Sequence, residues 1–235
     1  MRFAYFLSFF DRNDPGRELD RATLERVGAI VRSTPNLRRG LVYHADQSAG
    51  QHYPGGDAPP QLALQLYFDE IAHLESAVAR DGHLQQLALP QTLPDLAAAE
   101  AEQQAMIVRR FAVPDPVRGR PETDPFCTYL VHYPGPAEDL NAWLDHYVRE
   151  HPPIMAKFPN VREAEVCSRM DWLGFLPWPR VDHMQRNKVV FDSAEDLVAA
   201  LNSPVREEMR ADFVAFPPFT GGNAHYPLTT QEFLP

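Results

Sequence analysis

Cysteine is scarce in this chain: Cys127 and Cys167 are the two present in 235 residues. That excludes a disulfide framework and any site built from paired CxxC motifs, and it suits a reducing, cytoplasmic setting. Basic charge is also short, with 22 Lys and Arg against 32 Asp and Glu, a formal net charge of -10. Nucleic acid and anionic membrane surfaces both need a basic footprint, so neither is an expected partner. No apolar run approaches the roughly 18 residues that span a bilayer. The N-terminal run RFAYFLSFF is broken by Asp11 and lacks a small-residue cleavage site, so it reads as a strand rather than a signal peptide.

Several reaction classes are missing their motifs. There is no HExxH, no pair of histidines at i, i+4, no GxSxG, and FTGGN lacks the lysine of a phosphate loop. A metal site has little support from these spacings.

What the chain does have is an internal repeat. An offset of 124 pairs Tyr5 with Tyr129, Ile30 with Ile154, Pro35 with Pro159, Asn36 with Asn160 and Arg38 with Arg162. After a one-residue deletion, Phe68-Asp69 aligns with Phe191-Asp192, Leu74 with Leu197 and Ala77 with Ala200. Each copy reads as strand, helix, strand, strand, helix, strand. In the first, RFAYFLSFF, LRRGLVYHAD, QLALQLYF and AMIVRRFAV are strands, and ATLERVGAIVRS and DEIAHLESAVARDGHLQQL are helices. The second copy repeats the order with CTYLVHY, a helix from about Asp139, VREAEVCSRM, HMQRNKVVF, a helix after Asp192, and HYPLTTQEF.

That order is the ferredoxin-like βαββαβ unit. Its helices cover one sheet face, and a second copy can bury the other. The expected fold is therefore α+β: two ferredoxin-like units, 1–114 and 125–235, packed sheet to sheet as an intrachain barrel. The proline- and charge-rich stretch 115–124 is the natural linker. Further dimerisation is left open. In the 4-1-3-2 strand order of such a unit the two cysteines lie on strands separated by a third, so they are not expected to bond.

The candidate site belongs to the second copy. Leu140, Trp143, Leu144, Tyr147 and His151 form one helical stripe, with Val27 and Thr23 standing where the first copy matches His151 and Tyr147. One reading makes His151 a general acid or base with Tyr147 as partner. The other makes His151 a helix-end residue, followed by Pro152 because the helix stops or kinks there. His146 falls about 140° around the helix and is expected in solvent. His132, on CTYLVHY, replaces Ser8 and is a third catalytic candidate, its sheet face undetermined by alternation alone. Gln185 and Asn187 replace Leu62 and Leu64 and are candidates, with Trp143, for binding substrate. The insertion WLGFLPWPR, residues 172–180, carries Trp172 and Trp178 and reads as a lid, a core-completing flap or an oligomer contact. Asp212 reads as a surface or capping carboxylate.

The stretch HYPGPAEDLNAWLDHYVREHPPIMAKFPNVREAEV, followed by FDSAEDLVAALNSPVREEMRADFVAF and FTGG, resembles the EthD-like family of the dimeric α+β barrel superfamily. The features that carry it are His151-Pro152-Pro153, Pro159-Asn160 where the family usually has Pro-Gly, and Phe191-Asp192 through Ser203-Pro204. The resemblance implies a protein working without metals or nucleotides on small hydrophobic, often aromatic or polyketide-like compounds. The function expected is a cofactor-independent lyase, isomerase or cyclase acting by proton transfer on an oxygenated substrate held between the sheets. The alternatives are a noncatalytic binding or accessory protein and a cofactor-free or haem-assisted monooxygenase.

Overall fold

The computed structural model describes residues 1–45, 58–119, 121 and 124–235. The first half contains β1 (Phe3–Phe10), α1 (Arg21–Arg32), β2 (Arg39–Ala45), β3 (Leu62–Phe68), α2 (Ile71–Ala77) and β4 (Glu100–Phe111). The second contains β5 (Phe126–Tyr133), α3 (Leu140–Met155), β6 (Glu163–Arg169), β7 (Gln185–Phe191), α4 (Ala194–Leu201), α5 (Val205–Val214) and β8 (Ala224–Phe233). The strands close into one antiparallel barrel in the order β1-β3-β2-β8-β5-β7-β6-β4. Each half thus has the 4-1-3-2 order of a ferredoxin-like sheet. The two sheets are also joined at both edges: β2 pairs with β8 and β4 with β6. Closure removes the exposed strand edges that two open sheets would leave.

Strand alternation sorts the side chains into three layers. Ala4, Phe6, Leu41, Tyr67, Met106, Leu130 and Tyr226 fill the barrel. On the outside, Tyr5, Leu7, Phe9, Leu64 and Leu66 meet Val27, Val31 and Leu74 of the first pair of helices. Tyr129, Val131, Val166 and Val189 meet Trp143, Tyr147 and Met155 of α3. The helices begin where polar side chains take up free backbone N–H groups: Asp20 accepts from Thr23 N, Asp139 from Ala142 N and Ser193 from Asp196 N.

The repeated Pro-Asn has a structural cause. Asn36 and Asn160 both adopt the left-handed conformation, with φ of 59° and 61°, just after α1 and α3. Asparagine is among the few non-glycine residues that tolerate that region. The repeated Arg and Asp make the same ion pair twice: Arg38 to Asp69 at 3.0 Å and Arg162 to Asp192 at 2.8 Å.

Two helix expectations are corrected. The helix expected over residues 69–87 ends at Ala77, and the chain resumes as a 3-10 turn at His83–Ala88. A Cβ at Gly82 would stand 2.5 Å from the Ala77 carbonyl oxygen, so the chain folds back tightly there. Conversely, α3 does not stop at His151 but runs through Pro152 and Pro153 to Met155, its last turn closed by Ala156 N donating to Pro152 O.

The segment between β4 and β5 is pinned to the body: Arg118 pairs with Glu232 at 2.9 Å and Gly119 N donates to Asp192 at 3.0 Å. Cys127 and Cys167, on strands flanking β7, are buried and not joined in a disulfide. No helix among the described residues is long and apolar enough to cross a membrane.

Candidate functional site

A cavity of about 300 Å³ lies between the outer face of the second sheet and α3, α4 and α5. It is therefore under the helices and not between the two sheets, where the substrate was expected. Val131, Val189, Met155, Phe158, Met209 and Phe213 give it an apolar wall. His151, Asn187 and His225 project into the lining from α3, β7 and β8.

His151 is 5 % exposed, and its ring lies 4.6 Å from that of Tyr147 and 5.2 Å from that of Phe216. Its Nδ1 is 2.6 Å from Asp212 Oδ2, while the other carboxylate oxygen of Asp212 is 3.0 Å from His146 Nε2. Asp212 thus joins two histidines of α3 that sequence spacing put on different faces. Burial alone would push the Asp212 carboxyl up, but hydrogen bonds and charge from His151, then His146, outweigh it and hold it below the usual carboxylate value. An ionised Asp212 accepting from Nδ1–H fixes the tautomer and leaves Nε2 as the basic nitrogen of a cavity-lining residue. The expectations for Asp212 as a surface or capping group and for His146 as a solvated one are corrected by this pairing. Sequence reasoning missed it because Asp212 and His151 are 61 residues apart in the chain and meet only through the fold.

Tyr147 is fully buried one layer behind the cavity, its ring stacked on Trp143 at 5.1 Å. Asn187 Nδ2 donates to its hydroxyl. Burial, reinforced by Tyr133, raises the Tyr147 phenol well above its ordinary value, so it stays protonated. Trp143 and Gln185 are buried in the same layer and do not line the cavity, whereas Asn187 does.

His132 is not part of this group. It points into the barrel, where Arg186 Nη1 lies 3.1 Å from its Nε2 and Tyr226 and His183 pack on its ring. Burial, then the charge of Arg186, holds its pKa well below the ordinary value. Glu102, His132 and His183 each place one ligand-type atom within 4.8 Å of the others. Arg186 also donates to Glu102 at 2.9 Å, however, and so already supplies the positive charge that a cation would bring. The cluster is accounted for as an ion-pair network closing one end of the barrel.

Trp172 and Trp178 lie on the other unit. Trp172 packs edge-on against Tyr5 at 5.9 Å and Trp178 against Phe9 at 5.0 Å, so the insertion covers the outer face of the first sheet. It is a flap completing that core, and the substrate-binding expectation for both tryptophans is corrected. Gly174 permits the fold-back, since a Cβ there would fall 2.2 Å from the Trp172 ring. The element covering the second unit's cavity is α5, which contains no fully buried residue.

A closed eight-stranded antiparallel barrel with helices outside is the fold of a dimeric α+β barrel, formed here within one chain. No protein-family model and no curated protein matches the chain. Among solved structures, an anthrone oxidase-like protein is similar with a TM-score of 0.63 and 13 % identity, covering 99 % of this chain and 93 % of its own. A candidate monooxygenase from Lactobacillus acidophilus NCFM gives a TM-score of 0.53 and 12 % identity, covering 99 % of this chain and 95 % of its own. An EthD family protein from Bacillus halodurans is 21 % identical but covers 42 % of this chain and 96 % of its own, with a TM-score of 0.34. At these identities the likeness is one of fold.

Proposed function

We propose that the chain is an enzyme that moves a proton on a small hydrophobic, oxygenated substrate, in the manner of a cofactor-independent lyase, isomerase or cyclase. The observation carrying this reading is the His151–Asp212 contact of 2.6 Å beside an apolar cavity. A buried imidazole backed by a carboxylate is oriented, and the imidazolium formed on taking up a proton is stabilised by the carboxylate's charge. The aromatic shell of Phe213, Phe216 and Tyr147 limits water around that charge and strengthens it. Asn187, fixed by its bond to Tyr147, is placed to hold a substrate oxygen. The solved structures similar in fold include one termed anthrone oxidase-like, which is in keeping with an aromatic, oxygenated substrate. The buried cysteines Cys127 and Cys167, not joined in a disulfide, support a cytoplasmic setting.

The test is deuterium incorporation from D2O into a panel of aryl ketones, anthrones and phenolic lactones, read by mass spectrometry. Wild-type protein is expected to accelerate exchange at the carbon next to the carbonyl for some members, and His151→Ala to abolish it. Binding of panel members with no exchange by the wild type would instead support the noncatalytic carrier reading. Exchange that survives His151→Ala would remove His151 from the mechanism.

A further inference from the structure

Asp212 gives one oxygen to each of two histidines on α3: Oδ2 lies 2.6 Å from His151 Nδ1, and Oδ1 lies 3.0 Å from His146 Nε2. The two imidazoles differ in what they can reach. His151 lines the cavity, whereas the His146 side chain, 25 % exposed, is not among the cavity-lining residues and does not touch a molecule held there. Another acid, Glu150, stands one turn along the same helix from His146, at a spacing that commonly pairs. His146 reaches across to α5 instead. Phe216, just past the end of α5 and four residues from Asp212, meets the same two side chains in apolar form: its ring is 5.5 Å from that of His146 and 5.2 Å from that of His151. In the first copy Ala22 and Val27 stand at the positions of His146 and His151, so the pair belongs to the copy that carries the cavity.

We propose that His146 is a positioning residue of this site: it holds the Asp212 carboxylate, and through it the His151 ring and the α5 roof, without contact with the substrate. An ionised carboxylate only accepts, so Nε2 of His146 carries a hydrogen in this contact. Held through one oxygen, the carboxylate can turn about its side-chain torsions and the imidazole it orients turns with it; a second bond on the other oxygen fixes its plane. The second bond acts on the roof as well. Helix α5 has no fully buried residue, so a contact with His151 alone would leave it a pivot. Contacts with two residues more than one helical turn apart on α3 set the angle between the helices. His146 owes its catalytic relevance to the proposed function of His151, whereas its coupling to Asp212 needs no turnover.

The experiment measures amide hydrogen exchange across residues 205–214 in the wild type, His146→Phe, Asp212→Ala and the double variant, under conditions where exchange reports the opening equilibrium. Phenylalanine keeps a ring against Phe216 and removes the donor. His146→Phe is expected to speed exchange in α5 by about tenfold or more, the factor that one charge-assisted hydrogen bond carries. In the Asp212→Ala background the same substitution should add nothing, because its acceptor is gone. His146→Gln, a side chain of similar reach that ends in an N–H, should restore protection. On a panel substrate that exchanges, His146→Phe should lower kcat by about tenfold and leave KM nearly unchanged, since it removes no contact with the substrate. Wild-type protection of α5 in His146→Phe, an effect of equal size in the Asp212→Ala background, or a His146→Gln variant no better than His146→Phe each overturns the proposal. So does a raised KM with kcat unchanged. His146→Ala repeats the cycle if the larger ring disturbs folding. A coupled His146–Asp212 pair in a protein that catalyses no proton exchange refutes the enzymatic reading and leaves the coupling standing. Catalysis untouched by His146→Phe does the reverse.

Discussion

His151 Nδ1 stands 2.6 Å from Asp212 Oδ2, joining a residue near the end of α3 to one in the helix that roofs the cavity. The contact holds the imidazole in one tautomer and one orientation, and it ties α5 to α3 at a point where α5 has no buried apolar anchor. Chemistry and cover are fixed by the same bond.

If His151 transfers the proton, His151→Ala lowers turnover by about two to four orders of magnitude. Asp212 acts through His151 and is a positioning residue, so its variant is diagnosed by more than rate. Asp212→Asn should reduce turnover less than His151→Ala, and Asp212→Glu should restore part of the loss, because a carboxylate can still accept from the imidazole Nδ1–H and orient the ring. Steady-state kinetics of the three variants on whichever panel substrate exchanges would show it. Wild-type turnover in Asp212→Asn would mean that the carboxylate does not position the histidine.

Much of this architecture was legible in the sequence, because β-strand alternation and the helix-size gaps between strands are local properties. The repeat could be found for the same reason: Asn36 and Asn160 answer to the same backbone conformation, and Arg38–Asp69 and Arg162–Asp192 to the same strand-end geometry. His151 was legible as a polar residue on an apolar stripe. Asp212 was not, since nothing in its own helix marks it; its role depends on the angle at which α5 crosses α3. His132 and the two tryptophans misled for a related reason. Alternation groups residues by face but does not say which face meets the helices, and an insertion in one repeat can cover the other.

The left-handed asparagines give a direct test of the repeat as a structural device. Replacing Asn36 or Asn160 by alanine should cost about 1 kcal/mol each, since a Cβ-bearing residue without a local hydrogen-bonding side chain is disfavoured there, while glycine should be tolerated better. Urea unfolding of the four single variants reads this directly. Alanine and glycine behaving alike at both sites would show that the backbone relaxes out of the left-handed region.

Two half-buried histidines should make the fold acid-sensitive. Burial, then Arg186, holds His183 down to about 3; burial, then His151 and Arg206, holds His225 down to about 4. Both titrate near 6.5 in the unfolded chain. Between about pH 6.5 and 4 the unfolded state therefore takes up protons that the folded state refuses, and stability falls as pH falls, by at most about 1.4 kcal/mol per pH unit for each group. The effect levels off below the folded values. Urea midpoints at pH 7, 6 and 5 should decline, and the decline should be shallower in His183→Gln and in His225→Gln. An identical slope in both variants would place the acid sensitivity elsewhere.

The insertion should act on stability and not on the pocket. Trp172 is 6 % exposed, packed on Tyr5 and beneath the Arg180 guanidinium at 4.2 Å. Trp172→Ala removes a large buried ring and should cost about 3–5 kcal/mol, with affinity for pocket ligands unchanged in the fraction that remains folded. Denaturant titration paired with calorimetry separates the two quantities. A weakened ligand with unchanged stability would return the insertion to the role of a lid.

The roof of the cavity should be the mobile part of the second unit. Helix α5 has no fully buried side chain, with Phe213 37 % and Val214 83 % exposed, whereas α3 buries Trp143, Tyr147, His151 and Met155. Segments with few buried apolar contacts open at lower free energy than the global fold, and ligand covers are commonly drawn from them. Amide hydrogen exchange should therefore be faster across residues 205–214 than across 140–155. Asp212→Asn should speed exchange in α5 and leave α3 nearly unchanged, since it weakens the bond that ties the roof to His151 while α3 is already packed. Equal protection of the two helices, or protection of α5 unaffected by the substitution, would show that the cavity is roofed rigidly and that substrate enters by another route.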